Sequence, residues 1–316
     1  MTSETLVLDV VIPVYNGWPR VGDVVDSILR QNVDKGWMLN VVIVDDCSTD
    51  NGMSALENKF GGQITIVSHE VNKGRAASRN TGARHGTGHY ILFLDCDCVP
   101  ISEDMVSWHL RSIKAGARIS CGVISVTGSD FWSRYQRKVS GRRYQKIKLR
   151  PEDVPDCTTA NTVIGRGDFE KAGGFNENYS HYGFEDRDLL IRLRDIGALV
   201  SVSREAVVSH NTDLSMRTVS WKMHEAGKYS SGLLRSDHPM AYSSMRYSKF
   251  DVSLHPALRP VAFFLSLFLP LLVKCIDSKV LGRWLPDVVR SFGVAGVSAI
   301  SYLVGTARQD LPKSQM

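Results

Sequence analysis

The 316-residue chain is 43% hydrophobic and 22% charged, which supplies a full core and excludes a disordered polymer. Its net charge of +5 suits an anionic small molecule or a membrane surface and is too weak to point to nucleic acid. Six scattered cysteines complete no zinc-type set, and Cys96 and Cys98 stand too close for an ordinary bridge, so reduced thiols of a cytosolic protein are expected.

From the N-terminus, strand-like and helix-like runs alternate. MTSETLVLDVVIPVYN (1–16) has no basic leader region and carries Glu4 and Asp9, so it reads as a first strand and not as a signal peptide. An amphipathic stretch at 21–30 follows. LNVVIVDD (39–46) precedes a helical stretch at 51–60, and QITIVSHE (63–70) precedes the small-residue helix GRAASRNTGARHG (74–86). HYILFLD (89–95) is the next strand, followed by a helix over SEDMVSWHLRSIKAG (102–116) and a strand over RISCGVISV (118–126). This alternation predicts a mostly parallel sheet with helices on both faces, where ligands bind beyond the carboxyl ends of the strands.

Those ends are acidic. VVIPVYN stops at Tyr15 and Asn16, VVIVDDCSTD turns at Asp45 and Asp46, and ILFLDCD ends on Asp95 and Asp97. Four carboxylates at one edge repel each other unless a cation or hydrogen-bond donors sit among them. The plain alternative is turn-forming or helix-capping aspartates, and DDCSTD does resemble a cap before Asn51. In an extended strand Asp95 and Asp97 share a face and can reach one divalent ion. Hard carboxylate oxygens select Mg²⁺ or Mn²⁺, which complete their shells with substrate phosphates.

Farther on, 134–150 concentrates Arg134, Arg137, Lys138, Arg142, Arg143, Lys146, Lys148 and Arg150, either a solvated helix face or a patch for phosphate or anionic lipid. Residues 159–197 are dense in glycine, aromatic and acidic residues, as suits a wall over a site. A helix from about 185 carries Leu189, Leu190, Ile191 and Leu193, with Asp188 and Arg192 spaced to pair. ALVSVSREAVVSH (198–210) is strand-like and ends at His210. After 216 the character changes. VAFFLSLFLPLLV (261–273), interrupted by Pro270, and FGVAGVSAISYLVG (292–305) are apolar but fall short of the roughly 20 residues a span requires. They read as an interfacial or re-entrant pair in one leaflet, with buried core or oligomer-contact helices as the alternative.

VVIPVYN, VDDCSTD, NKGRAASRNTGA, ILFLDCD and GGFNENY…GFEDRDLLIRL stand in the order and spacing of the family 2 glycosyltransferases, and residues 8–210 resemble that family. The resemblance implies the GT-A fold, an α/β architecture, over 1–215, with a donor half of about 1–100 and an acceptor half of about 101–215. It leaves 216–316 as a helical, membrane-associating extension. It further implies that Asp46 hydrogen-bonds a uracil edge, that Pro13 and Tyr15 line the base, and that Arg75 touches base or phosphate. Asp95 and Asp97 are similar to the metal-binding D-x-D that holds Mn²⁺ or Mg²⁺ on the donor diphosphate, and His210 to the histidine completing that shell. Asp186 is similar to the catalytic base; in the first turn of its helix the dipole favours the ionised form. Glu185 and Asn161 are candidates for acceptor-side or supporting contacts, and His224 and Lys228, one turn apart, for facing the diphosphate. Two departures from the family pattern are Cys47, where a glycine is usual, and Cys98, where an acidic residue is common. The QxxRW signature of processive synthases is missing, its nearest string being VLGRW (280–284), which favours one sugar per encounter.

The expected activity is an inverting, metal-dependent transfer of a hexosyl or N-acetylhexosaminyl group from a UDP-sugar to a glycan or lipid-linked acceptor. The expected place is the cytoplasmic face of a membrane, in surface polysaccharide assembly. The alternative is a catalytically inactive nucleotide- or glycan-binding protein of the same fold. A nucleotidyltransferase would need a glycine-rich, arginine-bearing loop after the first strand, which YNGWPRVGD imitates poorly, and no G-x-G-x-x-G supports a dinucleotide oxidoreductase.

Overall fold

The computed structural model describes residues 5–149, 157–210, 214–278 and 284–309. The chain divides into two compact units, Met1–Ser180 with Asp186–Thr212, and His181–Glu185 with Asp213–Met316.

The first unit is built on an eight-stranded sheet: β1 (Leu6–Val14), β2 (Trp37–Asp45), β3 (Thr65–Ser68), β4 (Tyr90–Leu94), β5 (Cys98–Pro100), β6 (Ile119–Ser125), β7 (Asn161–Gly165) and β8 (Val200–His210), in the order β3-β2-β1-β4-β7-β6-β8-β5. The half holding β1 to β4 is parallel throughout. The other half is mixed: β7 runs antiparallel to β4 and β6, β5 antiparallel to β8, and β6 parallel to β8. Helices α1 (Arg20–Leu29), α2 (Gly52–Phe60), α3 (Arg75–His85), α4 (Met105–Lys114), α5 (Phe131–Leu149), α6 (Arg166–Lys171) and α7 (Glu185–Asp195) cover it. Alternation along the strands divides the core in two. Val10, Ile12 and Leu92 pack with Val24, Ile28 and Leu110 on one face. Val11, Ile91 and Phe93 pack with Phe169, Leu189 and Leu193 on the other. Each such side chain contributes roughly 1.5–3 kcal/mol by leaving water, so the strand ends are held rigidly.

Helix α3 presses unusually close to the sheet because its residues are small. A Cβ on Gly82 would stand 2.3 Å from a methyl of Val11, and Ala76, Ala77 and Ala83 are buried beside it. That proximity carries Arg79 into the interior, 1% exposed.

The second unit holds α8 (Met216–Glu225), a π-helical turn Ala226–Ser230, α9 (Ser231–Asp237), α10 (Pro239–Ser244), α11 (Arg259–Asp277) and α12 (Asp287–Ala307). Its centre is polar: Asp251, fully buried, accepts from Tyr242 Oη at 2.7 Å and from Arg235, and Tyr242 Oη lies 2.7 Å from Tyr302 Oη. Both apolar runs lie within longer helices, and α11 continues through Pro270 instead of breaking there. Helices of this length and composition are consistent with a membrane-associating extension. Arg150, the side chains of Lys146 and Lys148, and 280–283 of the VLGRW string lie outside the described residues.

Candidate functional site

The acidic string at the end of β4 is not an extended strand. Asp95 N donates to Ala160 O at 3.1 Å and Cys98 N to Asp95 O at 3.0 Å, closing a turn over 95–98. The expectation of two carboxylates on one strand face therefore fails for a local reason: the turn's hydrogen bond ends the alternation. Each aspartate instead meets its own partner. Asp95 Oδ1 accepts from Arg79 Nη2 at 2.8 Å, and Asp97 Oδ2 lies 3.1 Å from His210 Nε2. The second contact follows from topology, because β5 pairs antiparallel with β8 and sets Cys98 opposite His210.

Ligand atoms of Asp97, Cys98 and His210 lie within 4.8 Å of one another, a set that excludes Asp95. Burial first, then the charges of Asp95 and Asp97, push the Cys98 thiol well above its usual value, so it stays protonated and packs in the core. Of this set, Asp97 and His210 are the residues that could hold a hard cation. Adjacent ligands on an octahedral ion, each about 2.1 Å from it, stand about 3 Å apart, which the 3.1 Å separation matches.

Arg79 joins this turn to α7. Its Nη1 donates to Asp186 Oδ1 at 3.3 Å, and its guanidinium lies over the Phe175 ring, 5.3 Å from the centroid. Asp186 also accepts from Thr158 Oγ1 at 2.9 Å and from Thr159 Oγ1. Burial alone would raise the Asp186 pKa; the Arg79 charge, the Thr159 hydroxyl, Arg75 and the Thr158 hydroxyl outweigh it and hold the carboxyl below its ordinary value. The group is therefore ionised at neutral pH, and its side chain is still 21% exposed. Asp95 and Asp97 keep 22% and 27%.

Asp46 is placed differently from these three. It is 4% exposed, and its oxygens accept from Lys73 N and Gly74 N, each at 2.8 Å, with His69 Nδ1 also 2.8 Å away. It hangs the loop that starts α3. Gly74 must be glycine there, with φ +86° and Ser180 O 3.0 Å from where a Cβ would stand. Of the pair, Asp45 ends β2 and accepts from Ser48 N at 3.0 Å. Cys47 takes φ +65°, the left-handed region that explains the usual glycine, and its thiol donates to Glu70 O at 3.5 Å. Pro13 is buried within β1, Tyr15 is 53% exposed just beyond it, and Arg75 is exposed at the first turn of α3.

Asn161 is only 1% exposed; its Oδ1 accepts from His109 Nε2 at 2.9 Å and its Nδ2 donates to Ala206 O at 3.0 Å, so it braces β7 as a supporting contact. Glu185, 4% exposed, is likewise withdrawn from solvent. His224 and Lys228 belong to the second unit, where Lys228 Nζ donates to Tyr229 Oη at 2.7 Å. The Asp188–Arg192 pair forms on α7 at 2.5 Å. Sequence reasoning missed Arg79, Thr158, Thr159 and His69. For Arg79 a signal existed: it shares a helical face with Ala76 and Ala83, where a charged residue needs a buried partner.

A family model described as Glycosyl transferase family 2 matches residues 9–173, more than half of the chain, and one described as N-terminal domain of galactosyltransferase matches 144–211. TuaG of Bacillus subtilis, provisionally assigned to teichuronic acid biosynthesis, is 36% identical over 52% of this chain and 62% of its own. The poly(ribitol-phosphate) β-N-acetylglucosaminyltransferase TarS of Staphylococcus aureus is 32% identical over 49% of this chain and 25% of its own. The chain thus spans less than two thirds of either relative. The solved TarS 1–349 structure superposes with a TM-score of 0.54 at 14% identity, covering 95% of this chain and 90% of that one, and has also been solved with UDP-GlcNAc. The mannosyltransferase PcManGT of Pyrobaculum calidifontis, solved with GDP-Man and Mn²⁺, superposes with a TM-score of 0.57 at 18% identity over 93% and 87%. These likenesses show a shared GT-A-type fold.

Proposed function

The chain belongs to glycosyltransferase family 2, and on that footing we propose that it moves one sugar from a nucleotide-diphosphate donor to a saccharide acceptor with inversion. The observation that carries the proposal is the single buried guanidinium of Arg79, bonded at once to Asp95 and Asp186. It sets an ionised, partly open carboxylate beside the acidic turn where a donor diphosphate would be anchored. In the reaction the acceptor hydroxyl attacks the anomeric carbon, its proton passes to a carboxylate oxygen of Asp186, and the carbon–oxygen bond to phosphate breaks. The nucleoside diphosphate leaves with the bonding electrons. Positioned proton transfer of this kind contributes about 10²–10⁴-fold.

Asp97 and His210 would hold a divalent cation, Mn²⁺ or Mg²⁺, which supplies Lewis-acid stabilisation of charge on the departing diphosphate. Asp95, turned toward Arg79, fixes the turn and faces the donor. The donor base is proposed to be uracil, in line with the UDP-GlcNAc complex of TarS; the GDP-Man complex of PcManGT makes guanine the competing choice. A hexosyl or N-acetylhexosaminyl group and a glycan or lipid-linked acceptor of surface polysaccharide assembly complete the proposal. The enzyme would work peripherally on the cytoplasmic face of the membrane.

The test is isothermal titration with UDP and with GDP, each with Mn²⁺ and with EDTA, followed by release of UDP from a panel of UDP-sugars. Binding of UDP that collapses in EDTA, with UDP released from one sugar, is expected. Failure of both nucleotides to bind with metal present would overturn the proposal.

A further inference from the structure

Building on the membrane location proposed above, we propose that α11 and α12 lie in the plane of a single anionic leaflet and never cross it. By length and composition either helix could span. What argues otherwise is where their ends are tied.

At the start of α11, Ala262 is 1% exposed and packs with Val252 and Leu303. At its end, Asp277 accepts from Met216 N at 2.6 Å and Arg217 N at 3.1 Å, capping α8. Both ends are therefore bound to the polar body of the second unit. Between Arg259 and Lys274, both exposed, the apolar stretch 261–273 is about 20 Å long, well under the roughly 30 Å of hydrocarbon. Helix α12 loses its second half to the same body. Residues 301–306 are buried, Tyr302 beside the Asp251 network and Thr306 accepting from Val252 N at 3.1 Å. Immersing that half in lipid would take Asp251 and Arg235 with it, at the cost of desolvating charge.

What remains for lipid is apolar. Phe263, Phe264, Leu267, Phe268 and Leu271 stand 44–71% exposed along one side of α11, and Phe292 is 75% exposed on the open half of α12. An apolar strip closed at both ends by cations, Arg259 and Lys274, has the profile of an interfacial helix on anionic lipid. Trp284, 83% exposed just before α12, sits where an indole favours the headgroup level.

The full chain should float with vesicles of phosphatidylglycerol and phosphatidylcholine, and less with phosphatidylcholine alone. Replacing Phe263, Leu267 and Phe292 together by serine should weaken flotation more than about tenfold while UDP binding by the first unit persists as a folding control. Topology is read with a membrane-impermeant maleimide on vesicle-bound protein, comparing Cys275 with a cysteine introduced by His255→Cys at the other end of α11. Labelling of both in intact vesicles is expected. If one is labelled only after detergent, the helix spans, and the in-plane arrangement falls while the membrane location stands. If the chain ignores vesicles, or the strip proves to be covered by a second copy in solution, the membrane location itself is overturned; the transferase assay decides separately on the catalytic proposal.

Discussion

Two buried arginine–aspartate clusters sit at opposite ends of the same strands, and they differ in closure. Near the start of β1, Asp9 is fully buried, and its oxygens accept from Asn40 Nδ2 at 2.7 Å, Gly88 N at 2.6 Å and Arg166 Nη2 at 2.6 Å. Arg166 also donates to Ala83 O at 2.7 Å. At the carboxyl ends the exposure is reversed: Arg79 is 1% exposed against 17% for Arg166, and the carboxylates around it, unlike Asp9, retain about a fifth of their surface. The same pair of residue types is a brace with a sealed carboxylate in one place and a half-open cradle in the other. Openness, more than acidity, separates the candidate site from the scaffold.

The comparison is tested most sharply by removing Asp186. Asp186→Asn keeps the shape but loses the basic oxygen and the acceptor for one of the two threonine hydroxyls, so kcat should fall about 10²–10⁴-fold with donor affinity within about threefold of the parent. Persisting turnover would place the base elsewhere and reduce the cradle to a second brace. Next come the two arginines. Arg166→Met strands a fully buried Asp9 charge and should cost roughly 3–5 kcal/mol in urea unfolding, with UDP affinity of the folded protein unchanged. Arg79→Met leaves carboxylates that water can still reach, so its stability loss should be smaller, on the order of 1–2 kcal/mol, while donor binding and turnover both drop. If the two variants exchanged these signatures, the distinction between cradle and brace would be lost.

The parallel half of the sheet was legible because each of its strands is a solid apolar run broken by turn residues, and the gathering of aspartates at its ends followed directly. What escaped is what depends on distant pairing. No local pattern says that β7 inserts antiparallel between β4 and β6, which places Thr158 and Thr159, just before that strand, against Asp186. His109 shows the same limit: it reads as one polar residue on an amphipathic helix. In the fold it is fully buried, 2.9 Å from Ser120 Oγ, and on its other nitrogen it meets Asn161, which the sequence had suggested for an acceptor-side or supporting contact.

That histidine gives a pH prediction for the scaffold. Burial, only partly offset by the Asn161 and Ser120 hydrogen bonds, lowers the His109 pKa to about 4. The unfolded chain then binds a proton that the folded chain refuses, so stability is full above about pH 6.5 and declines as pH falls toward 4. The loss over that window should reach about 3 kcal/mol, read as a falling urea midpoint. His109→Gln, which keeps hydrogen-bonding groups without titrating, should flatten the slope in that window. An unchanged slope would assign it to other groups.

The smallest expected effect is also the finest probe of the cradle. Thr158 Oγ1 donates to the Asp186 oxygen that Arg79 does not touch. Thr158→Val keeps the shape but removes that donor, which costs about 1 kcal/mol of stability and makes the charged carboxylate less favourable. The Asp186 pKa must then rise, because one of the groups holding it down is gone. Two consequences follow with opposite signs. The acid limb of the kcat profile should move to higher pH, since Asp186 gains its proton sooner as pH falls. On the plateau above that limb, kcat should hold or increase slightly, since a less stabilised carboxylate is a stronger base. Thr158→Ser, which restores the hydroxyl, should return the limb to its original place. A hydroxyl that merely filled space would lower stability in the valine variant and leave the pH profile where it was.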